Sequence, residues 1–104
     1  MSELTARKNL REELERLVLA SSLENPVIVS RQTLRTALQR FLARELEVDD
    51  LVGWANLLEG YELIRYEPGF EKQIADVVFR ISTPEINAPL NHESCQDLLS
   101  QLPL

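Results

Sequence analysis

One cysteine, one histidine, one methionine and three glycines stand among the 104 residues of this chain. Cys95 alone excludes an internal disulfide framework, and it excludes a cysteine-based zinc site, which needs several sulfur or imidazole ligands at fixed spacing. Gly53, Gly60 and Gly69 are isolated from one another, so no glycine-rich loop is present to cradle a phosphate. No run approaches the roughly 18 apolar residues of a membrane span. The opening MSELTARKNLREELERL is charged along its length and has no apolar stretch of the signal-peptide kind, so a cytoplasmic location without membrane contact is expected. His92 and Cys95 are spaced i, i+3, the one place where two reactive side chains can meet. A catalytic pair there needs a third, orienting group, and a metal needs further ligands, which only carboxylates remain to supply. The expectation is therefore no enzyme activity, no cofactor and no metal.

What is present is charge, unevenly distributed. The chain is acidic overall, at −6. Residues 1 to 44 carry eight basic side chains against five glutamates, a net +3, whereas residues 45 to 104 carry three basic and twelve acidic ones, a net −9. Such asymmetry implies either charge complementarity inside the fold or an acidic surface that draws a basic partner, and it disfavours polyanion binding by the second half. A chain of this length buries about 65% of its unfolded surface, enough for one domain with one core spanning residues 1 to 104.

Apolar spacing predicts an all-α fold, a compact bundle of about five helices joined by short loops. Leu10, Leu14, Leu17 and Val18 share a face of a helix over residues 3 to 22. ENPVIV interrupts it, because Pro26 pushes Asn25 out of the α region and leaves Val27, Ile28 and Val29 extended or irregular. Ser30 is a good N-cap for a second helix that buries Leu34, Ala37, Leu38, Phe41 and Leu42. Either Asp49 or Asp50 can cap a third, with Leu51, Trp54, Ala55 and Leu58 inward and a left-handed stop at Gly60. YELIRYEPGF reads as a connection with Ile64 plugging the core and Pro68-Gly69 turning. A fourth helix runs from Phe70 to Ile81, and Asn91 opens a last one whose inward side is Cys95, Leu98, Leu99 and Leu102.

The run VSRQTLRTALQRFL, residues 29 to 42, resembles the recognition helix of winged helix-turn-helix regulators of the GntR kind. That resemblance implies groove-facing roles for Ser30, Arg31, Gln32, Thr33 and Arg35, since the helix N-terminus is what reaches base edges. Three features oppose a nucleic-acid-binding regulator. The preceding ENPVIV is not a tight glycine turn, no wing follows Phe41, and the acidic second half repels phosphates. The plainer expectation for Arg35, Arg40 and Arg44 is that they face the chain's own acidic half or water.

EGYELIRYEPGFE, residues 59 to 71, interleaves tyrosines and a phenylalanine with glutamates. Tyrosines supply contact area at low entropic cost and carboxylates steer a basic partner, a combination suited to an interface. Asp49, Asp50, Glu59, Tyr61, Glu62, Tyr66 and Glu67 are the candidate protein-binding residues, with Phe79 added because it lies opposite Val77 and Ile81 on the fourth helix. The series WANLLE, YEPGFE and TPEINAPL resembles a pattern in short bacterial all-helical proteins of unassigned function. At a coarser level, a small acidic helical chain with a Tyr/Glu surface is similar to helical toxin-immunity proteins, which implies a rigid bundle neutralising a basic toxin. A non-enzymatic protein-binding module is the leading expectation. An oligomerising domain built on Phe79 is an alternative of a different class.

Overall fold

Five helices and two short strands make up the computed structural model, which describes residues 10–86 and 89–103. In chain order they are α1 (Leu10–Leu19), β1 (Val27–Val29), α2 (Arg31–Leu42), α3 (Val48–Gly60), β2 (Ile64–Tyr66), α4 (Glu71–Ser82) and α5 (His92–Ser100). The part of the first predicted helix over residues 3 to 9 lies outside the described residues. α3 and α4 pack along each other, α1 lies against α3, and α5 against α2. Leu34 and Leu38 of α2, Leu51 of α3, the Ile74, Val77, Val78 and Ile81 stripe of α4, and Cys95 are all fully buried, as the helical spacing requires. The all-α bundle expected from periodicity is thus the observed architecture.

Local chemistry sets most boundaries. Ser30 Oγ accepts from the Thr33 N–H and Thr33 Oγ1 accepts from the Ser30 N–H, both at 3.1 Å, a capping box that starts α2. Asn91 and Ser94 do the same for α5. At α3 the cap differs from expectation. Glu47 is the N-cap, and Asp50 reaches back to accept from its N–H at 2.7 Å. Both aspartates therefore sit inside the first turn, where their charge complements the helix dipole.

The left-handed stop is also displaced. Gly60 remains helical and α3 ends at Tyr61 without a positive φ. The left-handed residue is instead Arg44, with φ 65°, just after α2. There the Arg44 N–H donates to the Phe41 carbonyl and the Glu45 N–H to the Arg40 carbonyl, the paired bonds of a Schellman ending, with arginine where glycine is usual. Gly69, in the turn before α4, has φ 90° and needs its lack of a Cβ.

Two further findings shape the surface. Val27–Val29 is a strand, paired in parallel with Ile64–Tyr66 in the register Val27↔Ile64, Ile28↔Arg65, Val29↔Tyr66. The stretch expected as a plain connection is thus half of a small sheet, although Ile64 does plug the core. On α1, Leu10 and Leu14 are buried but Leu17 is 57% exposed, so the apolar stripe runs past the body it packs on.

Candidate protein-binding surfaces

Where β2 ends, the Glu67 N–H donates to the Val29 carbonyl at 2.9 Å, which places the Glu67 carboxylate beside the start of α2. Its Oε1 accepts from the Arg31 backbone N–H and from Arg31 Nε, both at 3.0 Å, and its Oε2 accepts from Arg31 Nη2 at 3.1 Å. Arg31 Nη1 donates to the Pro103 carbonyl at 2.7 Å, and the guanidinium lies 3.6 Å from the centre of the Phe70 ring. One arginine therefore ties together α2, the end of β2, the start of α4 and the chain beyond α5. Its hydrogen bonds hold the Glu67 carboxyl below the usual range and raise the Arg31 pKa, with both side chains mostly covered, at 26% and 19% exposed.

The neighbouring arginines are engaged too. Arg35 Nη1 donates to the Leu99 and Leu102 carbonyls, each at 3.1 Å, satisfying acceptors at the end of α5 rather than meeting carboxylates. Arg40 pairs with Glu13 at 3.9 Å and Glu45 at 3.4 Å. Arg44 is exposed. Of the side chains that a base-reading helix would present, Arg31 and Arg35 are turned to intramolecular partners.

The eight candidate interface residues do not form one patch. Glu59, Tyr61, Glu62, Tyr66 and Glu67 gather where α3 ends and β2 runs. Asp49 and Asp50 lie at the other end of α3, about 14 Å away along its axis. Within the first group the tyrosines are half-buried against the core while Glu59 and Glu62 are exposed. Burial, with a smaller contribution from the nearby Glu59 charge, raises the Tyr66 pKa. Glu67 holds Arg31, as described. Phe79 is 44% exposed, towards the end of α4.

A second surface was not legible in the sequence. α1, β1 and α2 enclose a groove of about 370 Å³. Leu10, Leu14, Ala37, Trp54 and Leu58 lie in its floor, Leu17 and Ile28 form its walls, and Gln32, Thr33 and Thr36 edge it on the α2 side. Of the seven large apolar residues left exposed among the described residues, Leu17 and Ile28 line it, and Leu19 and Leu23 fall in the chain between those two. A concentration of that kind marks an interaction surface more than single exposed residues do. The available signal was Leu17 and Leu19 on an otherwise charged helix end, but which of them faces the body depends on packing.

The reactive side chains are not assembled. Cys95 is fully buried, its Sγ donating to the Leu38 carbonyl at 3.5 Å, and burial pushes the thiol up to about 11, so it is protonated at neutral pH. His92 is exposed at the first position of α5. Among the described residues no group of three His, Cys, Asp or Glu side chains is placed to hold a metal, and no helix is long and apolar enough to cross a membrane. No family model, curated protein or solved structure matches the chain.

Proposed function

We propose that the chain is a non-enzymatic protein-binding module that neutralises a basic partner protein, in the manner of helical toxin-immunity proteins. The observation that carries this reading is the cluster at the end of α3 and along β2. There exposed Glu59 and Glu62 surround Tyr61 and Tyr66, whose rings are held by core packing. Rings already fixed lose little entropy on binding, and the surrounding carboxylates raise the encounter rate of a cationic surface. Glu67 belongs to the platform beneath them through its bond to Arg31.

The test is the double charge reversal Glu59→Lys/Glu62→Lys, measured by calorimetry and by association kinetics at several salt concentrations against the protein that co-purifies with the wild-type chain. Affinity is expected to fall at least ten-fold, mainly through a slower association rate that loses its salt dependence. Unchanged affinity and unchanged salt dependence would sink the assignment.

A further inference from the structure

We infer that the outer edge of β1, together with the groove between α1 and α2, takes an extended, uncharged apolar segment of the partner protein as a third strand. The inference rests on the protein-binding reading above and names a second, separate contact for it.

The backbone geometry supplies the template. The Val27 N–H donates to the Leu63 carbonyl and the Glu67 N–H to the Val29 carbonyl, so in this parallel register Val27 and Val29 direct their polar groups at β2. Ile28 lies between them and directs its N–H and C=O the opposite way. Among the described residues the sheet has two strands and nothing bonds to either Ile28 group. An unpaired strand edge is a ready template for another extended chain.

The groove beside that edge selects what binds. An added strand alternates its side chains between the two faces of the sheet, so one set enters the groove over Leu14 and Ala37 while the other lies beside Ile28, which is 51% exposed. The α2 lip is neutral, with Gln32 Nε2 donating to Thr36 Oγ1 at 3.0 Å. The charged residues lining the groove are Glu13 and Arg40, which pair at 3.9 Å, and Arg40 also pairs with Glu45 at 3.4 Å, so both are already engaged within the chain. A charged side chain from the occupant would be desolvated there without a counter-charge, so the complementary segment is uncharged.

The experiment selects a random-peptide phage library on the full chain and characterises the enriched peptides, made synthetically, by amide hydrogen exchange and titration. The enriched sequences are expected to share uncharged apolar residues at i and i+2 and to slow exchange at the Ile28 amide at least ten-fold. Ile28→Pro removes the outward donor while sparing the ladder bonds that Val27 and Val29 make to β2, and is expected to weaken binding about ten-fold. Thr36→Arg, at an exposed position, places a charge on the lip and is expected to weaken binding comparably without touching the strand. The assignment is overturned if no peptide is enriched, or if Thr36→Arg binds like wild type. It is also overturned if the Ile28 amide is already protected in a self-associated free chain, in which case a second copy occupies the edge. Basic peptides that protect residues around Tyr66 instead of Ile28 would overturn it while leaving the acidic-surface reading intact.

Discussion

The two sides of α2 are treated in opposite ways. On one side Arg31 and Arg35 carry charge, and that charge is answered by Glu67, Pro103, Leu99 and Leu102. On the other, Gln32, Thr36 and Ala37 carry none and front an apolar groove. The side that looks like a recognition surface is internal cement, and the side with no recognisable motif is open. A partly covered guanidinium must find acceptors, so its neighbours in a folded chain are more informative than its presence in a sequence.

That contrast can be broken most severely at Arg31. Arg31→Ala leaves the Glu67 carboxylate without its principal partner and frees the Pro103 carbonyl, and is expected to lower Tm more than any change on the groove side. The same pair sets an acid limb. Because Glu67 has a lower pKa in the folded chain than in the unfolded one, its contribution is complete above the ordinary carboxylate range and is lost as pH falls through the folded value. Urea unfolding followed as pH is lowered from neutrality should show this loss in the wild type and a flatter acid limb in Arg31→Ala. Equal slopes would show that the pair does not couple to folding.

A smaller effect, of opposite sign, is expected where α2 ends. Arg44 holds a left-handed backbone that costs a non-glycine residue about 1 kcal/mol, so Arg44→Gly is expected to stabilise the chain by up to about that amount. Chemical denaturation measures it, and a destabilised variant would mean that the exposed side chain contributes more than its backbone costs. The smallest effect is expected on the open side. Thr36→Arg should leave folding stability within about 0.5 kcal/mol of wild type, because Thr36 is exposed and its recorded partner is Gln32 on the same helix. A large loss there would mean that the lip is structural, and would erase the distinction between the two sides of α2.

Much of the bundle was legible residue by residue. Ser30 and Asn91 begin helices through bonds to residues three positions on, Pro68-Gly69 turns the chain, and Leu34, Leu38, Ile74 and Val77 fall where helical spacing puts a core. Gly60 misled because a glycine permits a left-handed ending without requiring one, and α2 ends in that conformation on an arginine. The strand pairing was not legible, since two three-residue runs carry no mark of each other and meet only when α2 and α3 are in place. The candidate interface was legible in part. The Tyr/Glu stretch does run together over the end of α3 and β2, but Glu67 could not be told from Glu62 without knowing where Arg31 would be.

By itself the sequence determined which segments are helical, where most of them start, and which residues seek the interior, because those preferences act between residues at most four positions apart. The tertiary structure alone decided which charges are answered and which apolar residues stay uncovered. Arg31 and Glu67 are separated by 36 positions, and the groove is lined by four elements from different parts of the chain. Contacts of that range exist only once the core has brought the segments together, so their partners are a property of the packing and not of any stretch of residues.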